Sequence, residues 1–473
     1  LSADPLPFRF PAFRLFAIWP FRLSTFRPSG LPAFRRLSVK FYIETWGCQM
    51  NQLDSARLSG RFLQAGFESA NDLEEADVFL LNTCSVRQKA EEKVYARLGE
   101  LKAWKRRKEG RRIGLCGCIA QQHKARLFER SPILDFVFGP GEVEHAAALI
   151  QSGAPTGFTL SKTLEYDATS VDRSNEITPM VTVTEGCNLF CSFCIVPFVR
   201  GRERSRPAAA IETEVHDLSA KGFDDILLLG QVVNAYKDPE SGMGFTDLLA
   251  RLAGTAGVRN LGFVTSHPSH FDFNLIRLLK DTPVLSRYFH MPAQCGSDRI
   301  LKAMNRPYTR EAYLGMMRAL KEAVPDIALS SDFIVGFPGE TEADFEATLA
   351  LIAEVRFASL YAFAYSPRPG TKAARLEDDV PRTEKMRRLK TLLDLQNGIQ
   401  REENRKLEGL VMPVHVIEKP EKKALWIGRT KCNRVVNFSV PEGFAVSRGK
   451  WVDVEITEGL PHSLRGRLMV NSK

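Results

Sequence analysis

The chain has 473 residues, 44% apolar and 26% charged, a balance that suits two or three globular domains and excludes a collagen-like or wholly disordered chain. No run of about eighteen apolar residues occurs, so no membrane-spanning helix is expected. The net charge of +9 admits an anionic partner, but it is unevenly placed: residues 1–40 and 405–473 each carry +6 and the stretch between them carries −3.

Residues 1–39 are rich in Phe, Arg and Pro, and prolines at 5, 7, 11, 20, 28 and 32 forbid a long helix. An Arg-rich, acid-poor leader is one feature of organelle transit peptides, but Ser is scarce and the prolines break the amphipathic helix such peptides use. The segment is expected to be a disordered or non-native leader, translated upstream sequence with the natural start near Val39.

Strand and helix patterns alternate over residues 40–151. Strands are predicted at 41–45, 78–82, 113–115 and 136–138, with helical stretches at 54–65, 88–108 and 142–151, which implies a small α/β domain with a parallel sheet. Residues 152–176 are polar and weakly periodic and read as a linker. A second alternation fills 177–404, with strands at 180–184, 226–229, 261–265, 288–291, 327–335 and 360–365. Six strand–helix units suit a partial (β/α)6 barrel, whose chemistry would sit at the carboxyl ends of its strands. Residues 405–473 change character again, and short β-rich runs at 414–417, 425–427, 435–440 and 452–456 predict a small antiparallel β-barrel.

Nine cysteines are too sparse for a disulfide scaffold, so a reducing, cytoplasmic setting is expected, where cysteine clusters signal metal sites or catalytic thiols. Cys187, Cys191 and Cys194 form C-x3-C-x2-C just after the first predicted strand of the barrel. Three thiolates on one loop can hold three irons of a cubane and leave the fourth iron open for a substrate or cofactor. A structural zinc site would want four closed ligands, and no further Cys or His lies close in sequence.

Cys48, Cys84 and Cys118 each follow a predicted strand of the first domain. In a parallel sheet those strand ends share one edge, so residues far apart in sequence converge into a second candidate trio. The alternative is that they are small buried hydrophobes. Cys116 lies two residues before Cys118, on the same face of an extended strand, and spacing alone does not choose between them. Cys295 and Cys432 stand alone and read as structural or incidental thiols.

With these cysteines placed, the chain resembles the methylthiotransferase branch of the radical S-adenosylmethionine (SAM) enzymes, and within it the members that act on dimethylallyladenosine in tRNA. The resemblance spans about residues 40–470 and rests on stretches 44–51, 82–87, 117–121, 185–206, 227–236, 294–306, 330–341 and 365–374. It implies that Cys187, Cys191 and Cys194 bind a SAM-linked 4Fe-4S cluster and that Cys48, Cys84 and Cys118 bind an auxiliary one, selecting Cys118 over Cys116. It further implies that the C-terminal region is a TRAM-type RNA-binding barrel. Cys295 departs from the family pattern, standing in Gln-Cys-Gly-Ser where Gln-Ser-Gly-Ser is usual, which puts a cofactor contact there in doubt. The implied reaction adds a methylthio group to carbon 2 of the modified adenine next to the anticodon, with sulfur from the auxiliary cluster and SAM as cofactor. A tRNA substrate, a reducing donor such as flavodoxin or ferredoxin, no membrane and a monomeric state complete the expectation. A sister enzyme acting on threonylcarbamoyl-adenosine or on a ribosomal protein is the alternative of the same chemistry. An iron–sulfur RNA-binding protein without enzymatic activity is the alternative of another class, disfavoured by the open iron.

Around the cofactor, Phe193 is placed to pack on an adenine, and Gln231, Gln294 and Asp332 fall at predicted strand ends with the polarity to bind SAM or substrate. Arg200, Arg202, Arg204 and Arg206 alternate after the cysteine loop, suited to carboxylate or phosphate, or else forming a solvated face. Lys102, Lys105, Arg106, Arg107, Lys108, Arg111 and Arg112 crowd one predicted helix end, where a capping role is preferred over RNA contact.

Overall fold

The computed structural model describes residues 38–85, 88–420 and 424–470, so nearly all of the expected leader lies outside the described residues. Alternation in the first β-strands fills both faces of a sheet. Strands β1 (Lys40–Trp46), β2 (Glu68–Ser69), β3 (Val78–Thr83), β4 (Arg112–Gly117), β5 (Phe136–Phe138) and β6 (Thr156–Gly157) form a parallel sheet in the order β2-β1-β3-β4-β5-β6. Every residue of β3 is buried. Phe79, Leu81, Ile113 and Leu115 pack with Leu98 and Trp104 on one face, while Val78, Leu80, Cys116 and Phe136 pack with Leu58 and Phe62 on the other. The helix Gln49–Gln64 covers the second face through residues such as Leu58 and Phe62, with the Phe62 ring 5.1 Å from Phe41.

The segment 152–176, expected as a linker, also packs against this domain. It contributes β6, and Tyr166 stacks under the guanidinium groups of Arg57 (4.7 Å) and Arg206 (3.9 Å). Its few apolar anchors are too widely spaced to give a periodic pattern.

Next come a two-stranded ribbon, β8 (Thr184–Glu185) with β9 (Arg204–Ser205), and six parallel strands: β7 (Met180–Thr182), β10 (Asp225–Leu229), β11 (Asn260–Phe263), β12 (Tyr288–His290), β13 (Ala328–Val335) and β14 (Ser359–Ala364). The six run in chain order as two three-stranded sheets, tied by a parallel bridge between Leu261 and Leu285. This is the partial barrel expected, with its helices packed around one core that includes Val181, Leu228, Phe263, Phe289, Phe333, Leu351 and Leu392. The helix Glu342–Val355 starts with a capping box in which Thr341 and Asp344 satisfy each other's backbone amides.

Strands β15 (Val411–Glu418), β16 (Trp426–Thr430), β17 (Val435–Ser439), β18 (Trp451–Gly459) and β19 (Leu464–Leu468) close a barrel in the order β15-β16-β17-β19-β18 around Val414, Val436, Phe438, Val454 and Ile456. It differs from the expectation in two respects: β19 is a fifth strand, and it pairs with β17 in parallel rather than antiparallel fashion. In β19 arginines alternate with Leu464 and Gly466, so the strand lacks a strong apolar signal. The described residues from Val39 onward belong to one unit. The C-terminal barrel is tied to the central one by Ser286 Oγ donating to the Lys431 carbonyl (2.7 Å) and by His415 Nδ1 facing Asp225 (2.8 Å).

Candidate active site

Register brings the first trio together. Trp46 is level with Thr83, and Thr83 with Gly117, so Cys48, Cys84 and Cys118 lie one or two residues beyond three neighbouring strands. Cys48 caps the helix Gln49–Gln64, and Asn51 Nδ2 donates to Asn82 Oδ1 (2.9 Å) and to the Thr83 carbonyl (3.1 Å), locking the first strand end to the second. A Cβ on Gly47 would stand 2.9 Å from Cys84 Cβ, so only glycine lets the two loops approach this closely.

Gly117 separates Cys116 from Cys118. Its φ of +89° turns the chain at the end of β4, and a Cβ there would lie 2.4 Å from both the Thr83 carbonyl and Asn82 Oδ1. Cys116 therefore stays in the apolar core beside Phe136 and Phe138, and burial pushes its thiol well up. The two thiols do not share a face as strand alternation predicts, because the strand ends between them.

Part of the trio's electrostatics comes from the central domain. The Cys48 thiol is lowered to about 6, chiefly by a hydrogen bond with Cys84 and further by the charge of Arg200. Burial raises Cys118, and Arg200 draws it back through charge and a hydrogen bond. Arg200 is buried and holds Asp54 Oδ2 at 2.6 Å, so a residue just past the C-x3-C-x2-C loop reaches into the first domain between Cys48 and Cys118.

The second trio is local. Gly186, with φ +78°, sits so close to the Gly201 and Arg202 carbonyls that a Cβ would clash, and Cys187 N–H donates to the Gly201 carbonyl (3.2 Å). Asn305 Nδ2 holds the Leu189 and Phe190 carbonyls (3.2 and 3.0 Å), Ser192 Oγ donates to the Ala303 carbonyl (2.9 Å), and Cys194 N–H donates to the Cys191 carbonyl (3.0 Å). Burial pushes Cys187 up to about 11 and Cys194 up to about 12, and the neighbouring thiols add to both. The buried Arg306 guanidinium lies 3.5 Å from Cys191 Sγ and donates to the Pro292 carbonyl (2.6 Å). Among the described residues no three His, Cys, Asp or Glu side chains close around a single metal ion. A cubane asks for a wider set, one thiolate on each of three separate irons, and both trios have the donor chemistry for it.

The other candidates separate. Gln231 Oε1 accepts from Gly186 N–H (2.5 Å), so its amide steadies the start of the cysteine loop. Phe193 is half-buried against the cluster of Cys295, Leu301, Met304, Phe337 and Tyr365. Gln294 takes a left-handed φ of +67° directly beside β13, its backbone bonded to the Asp332 carbonyl and the Ile334 amide. Asp332 is half-exposed, 3.7 Å from His290 Nε2. Cys295 faces Thr348 Oγ1 (3.4 Å) in the core, where burial pushes it up to about 12, and Cys432 sits beside Thr430 in the C-terminal barrel.

Of the four alternating arginines, three are neither a solvated face nor free for phosphate. Arg200 holds Asp54, Arg204 holds Glu185 (3.3 Å), and Arg206 holds Glu214 (2.6 Å). Arg57 joins them, spanning Glu144 and Glu185. Much of the basic helix end is neutralised internally: Lys105 by Asp135, Arg107 by Glu74 and Lys108 by Asp77.

Sequence reasoning assigned no role to Arg306, His267 or the Asn51–Asn82 lock. Thr265 (φ +68°) is a β-branched residue in the left-handed region at the end of β11, and it leads into the buried His267. His267 Nδ1 accepts from Ser269 N–H (3.2 Å), and burial together with Arg306 lowers its pKa to about 2, keeping the ring neutral. Asn51, Asn82 and Arg306 fall within stretches that carry the resemblance and His267 within none, and no spacing marks any of them.

Three family models match the chain: the uncharacterized protein family UPF0004 over residues 40–139, the radical SAM superfamily over 181–352 and the TRAM domain over 405–469. Proteins called tRNA-2-methylthio-N(6)-dimethylallyladenosine synthase are similar over most of their length. The one from Geotalea uraniireducens is 44% identical, covering 90% of this chain and 98% of its own. Those from Serratia proteamaculans (42%; 92% and 93%) and Koribacter versatilis (40%; 91% and 98%) are comparable. Among solved structures, the radical SAM methyltransferase TsrM from Kitasatospora setae, with cobalamin and a [4Fe-4S] cluster bound, superposes with a TM-score of 0.53 at 16% identity, covering 72% of this chain and 77% of its own. At that identity the likeness concerns the fold.

Proposed function

The chain belongs to the tRNA-2-methylthio-N(6)-dimethylallyladenosine synthase family of radical SAM enzymes, and from that premise we propose that it adds a methylthio group to carbon 2 of N(6)-dimethylallyladenosine next to the anticodon of tRNA. The observation that carries this reading is the pair of cysteine trios, one on a single loop and the other assembled from three strand ends against the buried ion pair of Arg200 with Asp54. Cys187, Cys191 and Cys194 would hold the SAM-linked 4Fe-4S cluster, and Cys48, Cys84 and Cys118 an auxiliary 4Fe-4S cluster. Once bound, the first cluster with SAM supplies reductive cleavage of the sulfonium to activate a C–H bond, and the second supplies sulfur.

The protein's own task is to position and shield. Gln231 fixes the start of the cysteine loop and Asn305 its middle, at Leu189 and Phe190. Arg306 places a fixed cation 3.5 Å from Cys191 Sγ. Arg200 draws the Cys48 and Cys118 thiols downward, and its ion pair with Asp54 joins the two domains. Phe193, Gln294 and Asp332 remain the proposed SAM or substrate contacts, and Gln231 joins them only through the loop it steadies. The domain reading is 40–151 for the auxiliary site, 177–404 for the SAM site and 405–473 for RNA binding. No helix among the described residues is long and apolar enough to cross a membrane. A monomer working in the cytoplasm with a flavodoxin- or ferredoxin-type donor completes the reading.

Anaerobic reconstitution tests it. The protein should take up about eight irons and eight sulfides and convert tRNA carrying the dimethylallyl group, but not tRNA lacking it. An uptake of about four irons would reject the two-cluster reading. Fully loaded protein that forms no methylthio product would reject the substrate.

A further inference from the structure

Two aromatic rings stand outside the apolar core beside the C-x3-C-x2-C loop. Phe190 directly precedes Cys191, and Phe198 lies on the short helix Val196–Val199 that follows Cys194. The rings meet edge to face, centroids 6.3 Å apart at 85°, and Phe198 is 51% exposed. An exposed phenylalanine this close to a reactive centre gains nothing from folding.

Arg202 completes the group. Its guanidinium lies 4.3 Å from the Phe190 ring centroid, and among the described residues it has no carboxylate partner, unlike Arg200, Arg204 and Arg206 on the same loop. The alternation of that loop thus sends three arginines inward to acids and leaves the fourth exposed and unneutralised over an aromatic face. Phe190 also adopts a left-handed φ of +48°, unfavourable for a bulky side chain, and Asn305 holds it there through the Phe190 carbonyl.

We propose that Phe190, Phe198 and Arg202 form a stacking platform for an unpaired base of the RNA, next to the adenosine that is modified. Unpaired bases are recognised by aromatic faces and guanidinium planes, and a cation beside the rings meets the adjoining phosphate. A protein segment would find an apolar surface here but no use for the uncompensated charge. The proposal rests on the RNA substrate proposed above, and the two fail separately in the following experiment.

Binding of the reconstituted full chain to a labelled anticodon stem-loop carrying dimethylallyladenosine is compared with binding to a fully paired RNA duplex, while turnover of whole tRNA by the unaltered protein is followed alongside. Phe198→Ala should weaken stem-loop binding by about tenfold and leave duplex binding unchanged, and Phe198→Trp should restore it to within about twofold. Arg202→Ala should weaken stem-loop binding and flatten its dependence on salt. Iron content equal to that of the unaltered protein verifies that the cysteine loop is intact, and Arg202→Ala carries the test if Phe198→Ala loses iron. Unchanged stem-loop affinity, or equal loss on loop and duplex, overturns the platform. Absence of product from the unaltered, fully loaded protein counts against the proposed reaction and leaves the binding comparison standing.

Discussion

The two cysteine trios solve one problem by opposite means. Cys187, Cys191 and Cys194 sit on a single loop, held by its own backbone bonds and by Asn305 and Ser192, and Cys187 and Cys194 both feel the charge of Cys191. Cys48, Cys84 and Cys118 come from three strand ends and depend on the register of β1, β3 and β4, on two glycines that allow close approach and on an arginine lent by the other domain. The difference teaches where each is vulnerable. A local site tolerates shifts of the sheet, whereas an assembled site is only as good as the contacts that align its strands.

The largest effects should follow ligand removal and should differ in kind. Cys191→Ala is expected to abolish product and SAM cleavage and to remove about half the iron, whereas Cys118→Ala removes the other half and abolishes product but keeps SAM cleavage. Cys116→Ala should keep both halves, since its thiol lies in the core beside Phe136. Iron counts and SAM cleavage assays decide this, and loss of iron in Cys116→Ala would break the division.

Gly117→Ala should harm only the assembled trio. The added Cβ meets backbone at 2.4 Å in a conformation with φ +89°, so about half the iron should be lost with a destabilisation of about 3 kcal/mol or more, measured by denaturant unfolding. Arg200→Met should cost up to about 3 kcal/mol by leaving the buried Asp54 with only its longer pairing to Arg57 (3.6 Å), and adding Asp54→Leu should recover part of that loss. If the single substitution costs nothing, the two domains are not joined through this pair.

The smallest effect is chemical. In iron-free protein the Cys48 thiol, lowered to about 6, is largely thiolate at pH 7.5, while Cys187 and Cys194, pushed up to about 11 and 12, stay protonated. Alkylation mapped by mass spectrometry should therefore label Cys48 first. The rate should fall as pH drops through 6, because protonation removes the nucleophile. Preferential labelling of Cys187 or Cys194 would reverse the comparison.

Much of this was legible in the residues. The spacing of Cys187, Cys191 and Cys194 is a local fact, and the alternation of apolar runs gave the strand ends that carry Cys48, Cys84 and Cys118. Less was legible where a contact spans many residues. Arg306 reaches Cys191, Asn305 reaches Phe190, and Arg200 reaches Asp54, and no periodicity marks such pairs. The β19 strand is hidden because two arginines and a glycine separate its two leucines, and β6 because two residues make no pattern.

Near neighbours in the sequence were enough to bring out the domain types and the two candidate cysteine trios, because hydrophobic periodicity and cysteine spacing are local. The tertiary structure supplied the physical reason that Cys116 parts from Cys118, and it alone sent Arg200, Arg204 and Arg206 inward and left Arg202 outside over Phe190. Those decisions depend on a glycine φ, on which acids the packed domains present, and on the cost of burying a charge without a partner. None of the three exists until distant segments meet.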